Sequence, residues 1–105
     1  MAKHIIHITR TEKGIQNHPD TTETIEYLTT AWSDLGGHQL TIYAVHGAAD
    51  FLAIADVTYP TSADDDVLAS FLTFLTSEGE FRAVSERGYE ATEVTRIHSF
   101  VSDHR

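Results

Sequence analysis

Apolar positions along the chain form two kinds of run. In 3–10 (KHIIHITR), 38–46 (HQLTIYAVH) and 51–58 (FLAIADVT), β-branched and aromatic residues crowd at short spacing, the mark of strands. Elsewhere the spacing lengthens. Ile25, Leu28, Trp32 and Leu35 recur three or four apart and predict a helix face. Asp20 and Glu23 start that helix in capping-box spacing, and Gly36-Gly37 stops it. A second helix is predicted from Ser62. The acidic run Asp64-Asp65-Asp66 complements its positive end, and Val67, Leu68, Phe71, Leu72 and Leu75 form its buried stripe. Gly79 breaks it. Residues 11–19 read as a loop, 80–87 as one or two further helical turns closed by Gly88, and 91–101 (ATEVTRIHSFV) as the last strand.

A short turn, Gly47-Ala48-Ala49-Asp50, joins the middle strands into a hairpin. The order is then βαββαβ, a ferredoxin-like α+β fold: one four-stranded antiparallel sheet with both helices on one face. The 105 residues make one domain, 1–105. The strands are apolar on both faces, as Ile5 with Ile6 and Phe51 with Leu52 show. A sheet face of that kind marks an association surface or a ligand cavity, and sheet-to-sheet pairing of two copies into a dimeric α+β barrel is the simplest closure.

Three short motifs stand in order on this frame: Thr11-Glu12-Lys13-Gly14-Ile15-Gln16-Asn17 after the first strand, Leu35-Gly36-Gly37 at the helix end, and Gly47-Ala48-Ala49-Asp50-Phe51 at the hairpin. Together they resemble the GYD domain family, a branch of the dimeric α+β barrel superfamily, with its T-x-x-G-I-x-N, L-G-G and G-x-Y-D patterns. The hairpin tyrosine is Ala49 here, and the Gly79–Gly88 link is longer than the family's. The resemblance implies the barrel and the homodimer. It implies little chemistry: relatives include cofactor-independent cyclases, monooxygenases and isomerases, and ligand-binding domains of regulators.

Strand parity suggests which groups line the barrel. With Ile6, Ile8, Leu40, Ile42, Leu52 and Ile54 facing the helices, the other face carries Ile5, His7 and Thr9, then Thr41, Tyr43 and Val45, then Phe51, Ala53, Ala55 and Val57. The last strand is assigned Val94, Arg96, His98 and Phe100 inward. His7 and His98 then become cross-strand neighbours, and a cluster of His7, His98, Tyr43 and Arg96 suits proton transfer or oxyanion stabilisation. Thr9, Phe51, Ala53 and Phe100 would shape the ligand cavity. A one-residue slip would exchange His7 for His4. Three uses stay open: a cofactor-free acid–base enzyme acting on a small molecule, a non-catalytic metabolite-binding module, and a purely structural dimer.

Composition narrows the field. Sixteen acidic residues stand against 7 Lys and Arg, with formal net charge −9, and the few basic residues are scattered. That excludes a basic stripe for nucleic acid. An acidic, lysine-poor surface suits a high-salt cytoplasm or, equally, a soluble mesophilic protein with an acidic face. Cysteine is absent, no apolar run is long enough for a membrane span, and no leader pattern opens the chain; the expectation is a cytoplasmic protein. Seven histidines invite a metal, but neither H-E-x-x-H nor H-x-H occurs, and no metal or cofactor is expected. Asp50 is assigned to bonding the turn, and His18-Pro19-Asp20, the tripeptide of J-domain cochaperones, reads here as the lead-in to a helix.

Overall fold

The computed structural model describes residues 2–37, 39–57 and 62–89. The elements run β1 (Ala2–Arg10), α1 (Glu12–Asn17), α2 (Thr21–Asp34), β2 (Leu40–Ala44), β3 (Phe51–Val57), α3 (Ser62–Ser77) and β4 (Phe81–Tyr89). The strands form one antiparallel sheet in the order β2-β3-β1-β4, the ferredoxin-like arrangement. No described helix is long and apolar enough to cross a membrane.

Helices α2 and α3 cover one sheet face. Leu28 and Trp32 from α2 and Phe71 and Leu75 from α3 meet Ile6, Ile8, Phe51, Ala53, Ala55 and Phe81 in a buried core. The Trp32 and Phe71 rings pack edge to face with centroids 5.2 Å apart, a favoured aromatic geometry. Asp20 caps α2, its Oδ1 accepting from Glu23 N at 2.9 Å, as the spacing predicts. Gly36 ends α2 with a positive φ of 85°, a conformation that side chains resist. Gly37 leaves room for Trp32, whose ring atoms would lie 2.3 Å from any Cβ there.

Three sequence expectations are corrected. First, Phe51, Ala53 and Ala55 face the helices rather than the open side, and Leu52 and Ile54 take the open side. Both phases of β3 are apolar, so hydrophobicity could not choose between them. Packing does: the helices bring the bulk of Trp32 and Phe71, and small alanines beneath them let the layers approach. Second, residues 80–87 are not helical. β4 occupies 81–89 and pairs along the whole of β1, from Ala2↔Tyr89 to Arg10↔Phe81. The place beside β1 expected for 91–101 is therefore filled by 81–89; residues 91–101 lie outside the described residues.

Third, the expected loop after β1 contains α1. Its sequence lacks an apolar stripe, and its order comes from tertiary bonds. Thr11 Oγ1 accepts from Gly14 N and donates to Gly79 O at 2.5 Å. Thr11 N donates to Glu80 O at 2.9 Å, Lys13 Nζ to Glu78 O at 2.9 Å, and Asn17 Nδ2 to Glu80 Oε2 at 2.9 Å. A Cβ at Gly14 would stand 1.9 Å from Glu80 O. The Thr11–Asn17 motif is thus a clamp on the turn that leads from α3 into β4.

Candidate functional site

Among the described residues, no helix covers the second sheet face. Register places Ile5 opposite Ile54 and Glu86, and His7 opposite Leu52 and Val84. Tyr43 pairs with Leu52, Thr41 with Ile54, and Thr9 with Arg82. Cross-strand partners share a face, so these residues form one continuous surface. It is strongly apolar at its middle, and two of its large side chains stand well out in solvent: Val84 is 67% exposed and Tyr43 52%. Gly88 leaves space on the same face for Ile5, whose Cδ1 would lie 2.8 Å from a Cβ there.

A polar pair sits within this surface. His7 Nε2 lies 2.6 Å from Glu86 Oε1. The two residues are diagonal neighbours across β1 and β4, since Glu86 sits opposite Ile5. A carboxylate held on one imidazole nitrogen fixes the ring orientation and tautomer, leaving Nδ1 as the nitrogen for proton transfer. Leu52 and Val84 flank His7 on both sides, so anything that covers this face strips water from the pair. Tyr43 stands two strands from His7, roughly 10 Å at ordinary strand spacing, a gap of small-molecule size.

Of the residues expected in the pocket, His7, Thr9 and Tyr43 lie on the open face. Phe51 and Ala53 do not: they are 1% and 0% exposed in the core. Arg96, His98 and Phe100 lie outside the described residues, and the β4 position opposite His7 belongs to Val84. Glu86 was missed because its segment was read as helical. The alternation Arg82, Val84, Glu86 against Phe81, Ala83, Ser85 is the signal that would have revealed it.

Asp50, expected to bond the amides of its own turn, holds the end of β1 with its carboxylate instead. Its Oδ2 accepts from Arg10 N at 2.8 Å and, more weakly, from Arg10 Nε at 3.4 Å. Its backbone closes the hairpin, with Val45 N on Asp50 O and Asp50 N on Ile8 O, both at 3.0 Å. Arg10 also reaches His18 O through Nη1 at 2.8 Å, and its guanidinium lies 5.4 Å from the Phe51 ring centre. Beside this knot a small hollow of about 180 Å³ is lined by Thr21, Val45, His46 and Asp50.

His18 packs its ring against Tyr27 and Phe81, at centroid distances of 4.6 and 5.3 Å. Its Nε2 lies 3.1 Å from Glu80 Oε2, yet buried and without hydrogen-bond geometry to any partner. The approach is therefore close without being a directed hydrogen bond. Burial, then the Glu80 and Glu78 carboxylates, raise the Tyr27 phenol above the ordinary tyrosine value. No group of three or more His, Asp or Glu among the described residues could hold a metal ion.

No protein-family model matches the chain, and no curated protein matches it in sequence. Solved structures do share its fold. HapK from Hahella chejuensis superposes at a TM-score of 0.56 with 11% identity, over 86% of this chain and 92% of that one. TTHA0845 from Thermus thermophilus superposes at 0.52 with 17% identity, over 87% of this chain and 96% of that one. A dimeric ferredoxin-like protein from an uncultured marine organism reaches only 0.38, too loose to bear on this chain. At these identities the likeness is one of fold: the chain is a ferredoxin-like α+β domain built over nearly the whole length of its structural neighbours.

Proposed function

We propose that two copies pair through their open sheet faces into a GYD-like α+β barrel, and that the barrel encloses a cofactor-free small-molecule site whose proton-transfer group is His7 held by Glu86. The observation that carries this reading is the 2.6 Å His7–Glu86 pair set among Ile5, Leu52, Ile54 and Val84 on the face that no described helix covers. A face meant to stay wet has no use for that apolar surround, and a buried face rarely keeps a polar pair without work for it. The apolar wall takes the body of an aromatic or polyketide-like substrate. His7 Nδ1 removes a proton from carbon beside a carbonyl, the Tyr43 hydroxyl donates a hydrogen bond to the enolate oxygen, and the imidazolium returns the proton at the end.

Two measurements test this. Light scattering at micromolar concentration should give the dimer mass, with on the order of 800 Å² buried per partner; a monomer across that range removes the barrel. Deuterium exchange into an enolisable aryl ketone such as 2-tetralone should be accelerated by the wild type. His7→Ala should lose about a hundredfold of that acceleration while keeping the dimer, and Glu86→Gln should lose less. Saturable binding of the ketone without exchange leaves a binding module and removes the catalytic step.

A further inference from the structure

A second concavity lies in the helical layer, away from the open sheet face. It runs along the exposed flank of α2 and is walled by Phe74 of α3, with a volume of about 470 Å³. Its apolar surface comes from Tyr27, Phe74 and Leu35, exposed to 37%, 37% and 36%. Its charged rim is of one sign: Glu23, Glu26 and Asp34 line it, and no Lys or Arg among the described residues does. Those three acids and Tyr27 fall at helical spacings on one side of α2.

We propose that this groove binds a small organic cation with an apolar body, of the arylalkylamine class. The size falls within the range of small-molecule pockets. Tyr27 and Phe74 stand with ring centres 5.9 Å apart and tilted by 33°. They offer two aromatic faces to an apolar body or to an ammonium head, which aromatic faces attract. The Glu26 and Asp34 carboxylates provide the opposite charge and would repel an anion. Glu78 and Glu80 add to the negative field around Tyr27. The groove shares no residue with the open sheet face, so the proposal stands or falls apart from the barrel.

The test is a titration of the isotope-labelled full chain, read by amide shifts, with three isosteric probes: phenethylamine, 2-phenylethanol and phenylacetate. Phenethylamine should move the Thr30, Ala31 and Leu35 amides saturably, about fivefold tighter than the alcohol, while phenylacetate leaves them still. The double variant Glu26→Gln/Asp34→Asn should lose that preference for the amine and keep its affinity for the alcohol; Phe74→Ala should weaken both. Because the acid-to-amide changes are at the surface, an unaltered melting point checks that the fold is intact. Shifts elsewhere than the groove, equal binding of phenylacetate, or an amine affinity insensitive to the double variant each overturn the proposal. So does a lysine-rich peptide that displaces the amine with much higher affinity, and so does a fall in mass for Phe74→Asp, which would make the groove a contact between copies.

Discussion

The two faces of the sheet are built by the same four strands, yet one is finished and the other is not. On the covered face Ile6, Ile8, Phe51, Ala53 and Ala55 are at most 1% exposed. On the open face Val84 and Tyr43 are more than half exposed, and His7 and Glu86 meet in solvent at 41% and 60% exposure. Hydrophobicity does not separate them. Along β3 Leu52 and Ile54 lie on the open side, while Phe51 shares the covered side with Ala53 and Ala55. The covered face admits two alanines in β3 because the helices above supply the bulk of Trp32 and Phe71. The open face carries Leu52, Ile54 and Val84 with no described helix opposite, which is what a surface awaiting a second layer looks like.

The contrast is sharpest in what a single truncation does. Phe71→Ala removes a ring at 0% exposure that packs against Trp32, and it should destabilise by about 3–5 kcal/mol in urea denaturation. Val84→Ala should stay within about 0.5 kcal/mol for the monomer. Equal losses at the two sites would mean that the open face is as tightly packed as the core. Leu52→Asp probes the other side of the comparison. It puts a charge at the centre of the proposed interface, beside His7, and should weaken dimerisation about a hundredfold, or roughly 3 kcal/mol. Sedimentation at several concentrations reads this directly, and an unchanged dimer would move the contact away from the sheet.

Much of this architecture was legible in the sequence, for a physical reason. Helices α2 and α3 carry one-sided apolar stripes, and one-sided stripes declare both the element and its buried face. The hairpin turn and the strand order followed from turn chemistry and the βαββαβ pattern. What failed was every segment whose identity lies in tertiary contacts. β4 has few apolar residues and a glycine inside it, and it is a strand because β1 offers it a full edge. α1 has no stripe at all, and exists because Thr11, Lys13 and Asn17 bond the 78–80 turn. β3 is apolar in both phases, so its facing was decided by the helices above it. The site shared that fate: His7, Thr9 and Tyr43 were placed from parity in β1 and β2, while Glu86 was hidden with the strand that carries it.

Gly14 tests how far the covered side depends on that clamp. An alanine there sets its Cβ 1.9 Å from Glu80 O. The obstacle is backbone, so the turn or α1 must move as a unit. The expected loss is about 1–3 kcal/mol in chemical denaturation, with the Thr11 and Asn17 bonds weakened together. Gly47, whose surroundings are open within 4 Å, is the control: Gly47→Ala should stand within about 0.5 kcal/mol of wild type. A Gly14→Ala variant as stable as that control would show that α1 rests on the sheet without holding the turn.

The smallest effect is a titration within the helical layer. Tyr27 belongs to the helical layer, and burial, followed by Glu80 and Glu78, raises its phenol above the ordinary value of 10.0. The folded chain therefore keeps this proton at a pH where the unfolded chain has released it. With more protons bound in the folded state, stability falls as pH rises from the unfolded value through the higher folded one; below the unfolded value the contribution is fully present. Tyr27→Phe keeps the ring between His18 and Phe74 but removes the ionisable hydroxyl. Its melting temperature should decline less steeply than the wild type's from about pH 9 to pH 11. Melts across that range in matched salt read the difference. Parallel declines for wild type and Tyr27→Phe would show that the carboxylates at 78 and 80 act on some other group, and would weaken the case that the helical layer concentrates negative potential beside its aromatic rings.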